Sequence, residues 1–259
     1  MNDFHSHIIC GVDDGAKTEE MSLEMLKIAA GSGTRRIVVT PHYIKGRFQV
    51  PRKEINEKVE KLKELVKERE IPLEIYGGQE VYYSENILQY YLEGEIGTIE
   101  GSRYMLVELP MKGFNSEEVI NNFYELQLKG IVVILAHPER YMEFIKKPSL
   151  INRFLQEGFL FQLNTGSISG EFGKEVKKIA ELFLKNNVYS VIGSDAHRAT
   201  SRNTDMIPGI EEIERLKPGA TEKFNRNVEK ILNNEEVINR GRRIEEPKGL
   251  KGLMNKIFG

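Results

Sequence analysis

The chain of 259 residues holds a single cysteine, Cys10. That excludes an internal disulfide framework, and one free thiol suits a reducing cytoplasm. A surplus of charge of either sign is also lacking, since 37 Lys and Arg stand against 39 Asp and Glu for a formal charge of −2. No global basic field gathers nucleic acid, so no nucleic-acid partner is expected. No apolar run approaches ~18 residues, which leaves no candidate membrane span. The opening MNDFHSH has no cationic segment followed by an apolar one, so it does not read as a secretory leader. Internal repeats, low-complexity stretches and linker-like composition are missing before about Ile238. Together these absences point to one domain, residues 1–238, in a cytoplasmic protein.

What is present is an ordinary globular composition, 40% hydrophobic and 29% charged, enough for a sizeable core. Short apolar runs alternate with polar loops and amphipathic helical stretches. Candidate strands lie at Asp3–His7, Arg36–Thr40, Leu73–Glu80, Tyr104–Leu109, Ile131–Ala136, Phe159–Leu163 and Tyr189–Gly193. They are dense in Val, Ile, Leu and Phe with little alternation, the pattern of strands covered on both faces. Helical stripes run between them through Met25, Ile28 and Ala29, through Val59, Leu62, Leu65 and Val66, and through Ile179, Leu182 and Phe183. Pro51 suits the opening of the second helix, and Gly31-Ser32-Gly33 the end of the first. Seven β-then-α units with short connections predict a parallel α/β barrel rather than an open sheet.

Residues 239–259 differ. Arg240, Arg242, Arg243, Lys248, Lys251 and Lys256 outnumber Glu245 and Glu246, and Leu250, Leu253, Met254, Ile257 and Phe258 fall on a helical stripe. Such a basic amphipathic tail fits an anionic membrane surface or a partner protein. It equally fits a last helix folded back on the barrel, a reading favoured by the shortness of the stripe and by glycines at 249 and 252.

The chemistry sits at the strand ends. All five histidines, His5, His7, His42, His137 and His197, lie at or just past the end of a candidate strand. In a βα barrel those ends converge on one mouth. His5 and His7 are two apart in a strand and so share a face. Asp195 and His197 repeat that spacing after the seventh strand. Thr40-Pro41-His42 closes the second strand, Gly78-Gln79-Glu80 the third, Val107-Glu108 the fourth and Ala136-His137-Pro138-Glu139-Arg140 the fifth. In the loop Val12-Asp13-Asp14-Gly15 either aspartate can ligate, or both can serve the turn. Glu80 and Glu108 end apolar strands, where an unpaired charge is costly. Five imidazoles with Asp14, Glu80, Glu108 and Asp195 exceed the needs of one ion. They suit two or three divalent cations in the Mn, Fe or Zn range. Close divalent ions generate a hydroxide nucleophile near neutral pH and neutralise charge on a phosphoryl group. Arg140 and Arg202, in loops beside these motifs, suit a bidentate grip on phosphate.

Other hydrolytic schemes fit less well. A cysteine phosphatase loop needs C-x5-R, but the sixth residue after Cys10 is Ala16, so Cys10 reads as a small packed residue. Neither a G-x-S-x-G elbow nor a phosphate-binding G-x-x-x-x-G-K-[ST] loop occurs.

The set F-H-S-H, V-D-D-G, T-P-H, G-G-Q-E, L-V-E-L-P, A-H-P-E-R and G-S-D-A-H resembles the polymerase and histidinol phosphatase (PHP) superfamily. More narrowly, the D-x-H-S-H-I opening with D-D-G, and the H-P-E-R and S-D-A-H endings, resemble bacterial tyrosine-protein phosphatases of the capsule and exopolysaccharide type. The resemblance covers residues 1 to about 205 and, loosely, the helical stretch Glu222–Leu232. It implies a distorted (βα)7 TIM-like barrel with three metals, usually manganese in activity. It also implies which residues share an ion: His5, His7, Glu80 and Asp195 the first; Glu80, Glu108 and His137 the second; Asp14, His42 and His197 the third. Asp14 is favoured over Asp13 on the same ground, and Arg140 and Arg202 would hold the phosphate. The implied substrate is phosphotyrosine on a membrane-associated bacterial tyrosine kinase, which would place the enzyme at the inner face of the membrane at least peripherally. A small-molecule phosphatase of the histidinol-phosphate type, a PHP-type nuclease and a non-catalytic metal-binding regulator are the rival readings.

Overall fold

The computed structural model describes residues 1–245. Nine strands lie in two ladders, every neighbouring pair parallel. The first ladder contains β1 (Asn2–Ser6), β2 (Arg36–Val39) and β4 (Glu74–Gly77), in the order β1-β2-β4. The second runs β3 (His42–Tyr43), β5 (Glu80–Tyr82), β6 (Tyr104–Glu108), β7 (Val132–Leu135), β8 (Leu160–Asn164) and β9 (Val191–Gly193). β2 and β3 are one path interrupted at Thr40-Pro41, and β4 and β5 are one path interrupted at Gly78-Gln79. Counting paths gives the expected seven.

Both interruptions have local causes. Pro41 has no N–H to donate to a ladder. Gly78 leaves room where a Cβ would stand 2.5 Å from Ile99 Cδ1. The expected third strand, Leu73–Glu80, is therefore broken two residues before Glu80 and resumes through Tyr82. The first and last paths meet and close the barrel. His7 N donates to Ala196 O at 2.9 Å, Asp195 N to His5 O at 2.8 Å, and Ser194 N to Asp3 Oδ1 at 2.8 Å.

Among the described residues ten α-helices accompany the strands: α1 (Glu19–Gly31), α2 (Arg52–Glu68), α3 (Ile87–Leu92), α4 (Ser116–Gln127), α5 (Met142–Lys146), α6 (Ile151–Gln156), α7 (Thr165–Ser169), α8 (Lys174–Lys185), α9 (Ile207–Leu216) and α10 (Ala220–Leu232). Thr18 caps α1, its side chain accepting from Met21 N. The buried face of α1 is Ser22, Met25, Leu26 and Ala29, a step away from the expected Met25, Ile28 and Ala29. It packs with Ile55, Val59, Leu62 and Val66 of α2 over Ile37, Val39 and Ile75. Cys10 is half-buried at the edge of this cluster, as a packed residue. A second core gathers Phe4, Val38, Leu106, Ile134, Leu160 and Val191 from six strand paths, with Val228 and Ile231 of α10 against them. The largest core joins β5–β9 to α3–α10 through rings such as Phe123, Phe144, Phe154, Phe159 and Phe183.

After α10 the chain stays against the barrel. Asn239 Nδ2 donates to Phe159 O, Arg242 N to Asn186 O, and Ile244 exchanges two hydrogen bonds with the Asn152 side chain. The remainder of the basic tail, with its apolar stripe, lies outside the described residues. Among the described residues no helix is long and apolar enough to cross a membrane.

The closure between β1 and β9 has no spare room. A Cβ on Gly193 would stand 2.5 Å from His5 Cβ and 2.8 Å from His5 N. Because backbone is involved, Gly193→Ala must pry the two strands apart, an overpacking cost of about 1–3 kcal/mol. Denaturant unfolding of the variant will show a lowered midpoint, and an unchanged midpoint would contradict this reading of the seam.

Candidate metal centre

The floor of the site is built by β1 and by the resumption of the third strand path. His5, His7 and Glu80 are fully buried. The Glu80 Oε2 atom lies 3.1 Å from His5 Nε2, 3.2 Å from His7 Nε2 and 3.0 Å from His42 Nδ1. Its other oxygen is 3.0 Å from His137 Nε2. Asp195 Oδ1 is 3.4 Å from His7 Nε2 and 3.7 Å from His5 Nε2. Glu108 lies 3.6 Å from His137 Nε2 and 3.7 Å from His42 Nδ1. Towards the mouth, Asp14 Oδ1 is 3.4 Å from His197 Nε2 and 3.7 Å from His42 Nε2. All nine residues named from the strand ends therefore share one volume.

Three groups within it have ligand atoms close enough together to hold an ion: His5, His7, Glu80 and Asp195; His42, Glu80 and Glu108; and His7, Asp14, His42 and His197. The first is the expected set. The second differs from the expected Glu80, Glu108 and His137 in that His42 takes the place of His137, which still stands 3.0 Å from Glu80 and 3.6 Å from Glu108, and the third is the expected Asp14, His42 and His197 with His7 added.

The donor set fits cations. Glu80 Oε2, His42 Nδ1 and Asp14 Oδ1 are buried without a hydrogen-bond partner, although three imidazole nitrogens crowd the first of these atoms. Lone pairs aimed at a common space, rather than donors aimed at acceptors, are what a metal requires. Burial pushes His42 and His137 down to about 4, which leaves both imidazoles neutral and able to ligate near pH 7. Burial, then the Glu80 and Asp195 charges, pushes the Glu108 carboxyl far up. Burial opposes ionisation of Glu80 as well, but the imidazoles of His5 and His42 hold its carboxyl well below the usual range. Carboxylates pressed together in this way need added positive charge if all are to be ionised.

Local backbone shape delivers these groups. His137, Asp195 and Arg202 adopt φ of 29°, 52° and 47°. Non-glycine residues rarely occupy that region, and such strain collects at functional sites. Gly15 is tied down differently: a Cβ there would sit 2.2 Å from His7 O. The loop therefore hugs β1, placing Asp13 under His7 and Asp14 at the opening. Asp13 Oδ2 lies 2.7 Å from His7 Nδ1 and accepts from His42 N at 2.9 Å. So the D-D-G motif divides its labour, one aspartate orienting an imidazole and the other facing the mouth.

Both expected arginines are there. Arg140 Nη1 and Arg202 Nη2 reach Asp195 Oδ2 at 2.8 and 2.7 Å. Their guanidinium carbons lie 4.5 and 5.6 Å from the centre of the Phe172 ring, a shared cation–π platform. Phe172 went unread in the sequence, since a lone aromatic between helices carries no periodic signal. Gln162 and Asn164 were also missed. They stand two apart on β8, an i, i+2 polar pair in an apolar strand, and that spacing was the available signal.

The parallel barrel, with imidazoles and carboxylates gathered at one mouth, matches solved phosphatases of the PHP-type fold. Histidinol phosphate phosphatase of Lactococcus lactis shares it at a TM-score of 0.53 and 14% identity, over 83% of this chain and 94% of that one. The model of the capsular polysaccharide synthesis family CpsB/CapC matches residues 1–234, and the chain belongs to that family. It is 33% identical over 218 residues to the tyrosine-protein phosphatase YwqE of Bacillus subtilis, covering 83% of this chain and 84% of that protein. It is 32% identical over 241 residues to the putative tyrosine-protein phosphatase CapC of Staphylococcus aureus, covering 92% and 93%. A crystal structure from work on YwqE and on CpsB of Streptococcus pneumoniae, described as unique metal-dependent tyrosine phosphatases, superposes with a TM-score of 0.88. Its identity is 28%, over 95% of this chain and all of that one.

Proposed function

We propose that this protein is a metal-dependent protein-tyrosine phosphatase acting on a bacterial tyrosine kinase of capsule or exopolysaccharide synthesis. The observation that carries the chemistry is the crowd of three imidazole nitrogens within 3.2 Å of Glu80 Oε2, with no hydrogen bond to it. The substrate class rests on the names of relatives with which the chain shares nearly its whole length. His5, His7, Asp14, His42, Glu80, Glu108, His137, Asp195 and His197 are the proposed ligands of two or three divalent ions. Manganese is the proposed native metal, iron and zinc lying in the same chemical range.

When bound, the ions supply an activated water and neutralise charge building on phosphorus. The protein supplies the geometry. Asp13 Oδ2 accepts a hydrogen bond from Nδ1–H of His7 at 2.7 Å, which leaves the Nε2 lone pair to face an ion. Arg140 and Arg202 grip the phosphoryl oxygens, their guanidiniums held in place by the Phe172 face. His5, His7 and Glu80 sit at full burial while Asp14 and Arg202 remain partly open, so the phosphate approaches from the mouth and water is excluded from the floor. Residues 246–259, beyond the stretch held against the barrel, are the proposed docking segment towards the kinase or the membrane's inner face, their cationic excess suiting an anionic surface.

Phosphate release from phosphotyrosyl peptides, compared with histidinol phosphate and single-stranded DNA, tests this reading alongside elemental analysis of the purified protein. The expected result is a kcat/KM preference for the peptide and activity lost to chelators and restored by Mn. Preference for histidinol phosphate would overturn the substrate assignment, and chelator-resistant turnover would overturn the metal. Cys10→Ser should hydrolyse at the parental rate, because the thiol packs beside α1 and α2 with no arginine loop; a dead variant would return the reaction to thiolate chemistry.

A further inference from the structure

Two buried amides connect ligands that lie far apart in sequence. Gln162 and Asn164 of β8 are both fully buried. Gln162 Oε1 accepts from His137 N at 3.3 Å and lies 3.0 Å from His5 Nδ1. Gln162 Nε2 donates to Asn164 Oδ1 at 2.8 Å, and Asn164 Nδ2 donates to Asp195 Oδ2 at 2.7 Å.

The polarity of this chain is pinned at both ends. A backbone N–H can only donate, so the Gln162 atom facing His137 N is the oxygen. An ionised carboxylate can only accept, so the Asn164 atom facing Asp195 is the nitrogen. Neither amide can flip without setting like against like in a dry site. The same Gln162 oxygen faces His5 Nδ1, which must therefore carry the hydrogen. That leaves Nε2 of His5 as a bare lone pair beside Glu80. At the far end Asp195 Oδ2 is filled by Asn164, Arg140 and Arg202, leaving Oδ1 to turn towards His5 and His7.

We propose that Gln162 and Asn164 are positioning residues that act as one unit, setting the His5 tautomer and the Asp195 rotamer and so pre-forming one ion site, that of His5, His7, Glu80 and Asp195. This rests on the proposed metal reading. The amides touch neither substrate nor ion, and they select one site because, of the four residues in that group, they contact two. The His7, Asp14, His42 and His197 group has no hydrogen bond to them, and their one bond to a ligand outside the selected site is to the backbone N–H of His137, not to its ring.

Metal titration of the whole protein, followed by calorimetry and elemental analysis, provides the test. Gln162→Met keeps bulk but removes the acceptor, and Asn164→Leu removes the donor. Each should weaken one bound ion by about 10–100-fold, the usual effect of losing a partner behind a ligand, while the others keep their affinity. The double variant should be little worse than either single one, since each already breaks the chain. Gln162→Glu, which keeps the acceptor for His5, should recover part of the loss that Gln162→Met suffers. Equal weakening of every ion, or none, overturns the proposal.

His5→Ala separates the two ideas. If it loses an ion while Gln162→Met does not, the positioning role fails and the metal centre stands. If it keeps every ion, the metal reading itself fails. Should the variants not fold, nitrogen-15 NMR of the zinc-loaded parent protein decides. A hydrogen on His5 Nδ1 supports the proposal, and one on Nε2 ends it.

Discussion

Glu80→Gln will remove most of the bound metal and lower kcat/KM by on the order of 10³-fold or more, at the upper end of what loss of one charge-stabilising group costs. The change is nearly isosteric, so it isolates charge from shape. Both Glu80 oxygens lie within 3.2 Å of imidazole nitrogens, with His5, His7 and His42 on one and His137 on the other, closer than the 3.6 and 3.7 Å of Glu108. It belongs to two of the three groups able to hold an ion. An amide there offers one oxygen and one N–H, and the N–H would face imidazole nitrogens whose lone pairs are needed for ligation. The variant therefore loses one of two carboxylate oxygens and gains a competing donor. Elemental analysis and phosphotyrosyl-peptide turnover measure the two losses, and circular dichroism of the metal-free forms checks that the fold is kept. Near-normal metal content together with near-normal rate would remove Glu80 from the centre.

Much of this centre was legible because the barrel converts position in sequence into position in space. His5 and His7 share a strand face, Glu108 ends β6, His137 follows β7, Asp195 and His197 follow β9, and Glu80 opens β5 where the third path resumes. Once the strands are parallel, their ends must meet. The sheet pairing bears that out, with His42 directly opposite Glu80 and Tyr82 opposite Glu108 in register. The break before Glu80 was less visible, because Leu73–Glu80 reads as one apolar run and the cause is a close approach of Ile99 to Gly78 from elsewhere in the chain.

Asp13 and Asp14 could not be told apart by residue type. What separates them is the contact of Gly15 with His7, a tertiary fact. Gln162 and Asn164 carried a signal of another kind, a polar pair two apart in an apolar strand, which a search for imidazole and carboxylate ligands passes over. The helices α9 and α10 follow the last motif and carry no chemistry, but Val228 and Ile231 complete the core that gathers Phe4, Val38 and Leu106.

Arg202→Ala and Arg140→Ala will each lower kcat per bound ion by about 10²–10³-fold, the scale for removing one donor to a developing oxyanion. Both guanidiniums converge on one atom, Asp195 Oδ2, and on one ring, Phe172. Their charge is held ready at the mouth, and a phosphoryl group with several anionic oxygens can draw both towards it. Lysine will not substitute at either position. Its ammonium lacks the planar fork that spans two oxygens, and it gains less from stacking on Phe172. Because the two arginines converge on the same Asp195 oxygen and share the same ring, the double variant will lose less than the product of the single effects. A purely structural pair would behave otherwise: it would lower the metal content by freeing Asp195, and leave kcat per bound ion unchanged. Steady-state kinetics normalised to metal content distinguish these outcomes, and a normalised kcat equal to that of the parent would place the phosphate grip elsewhere.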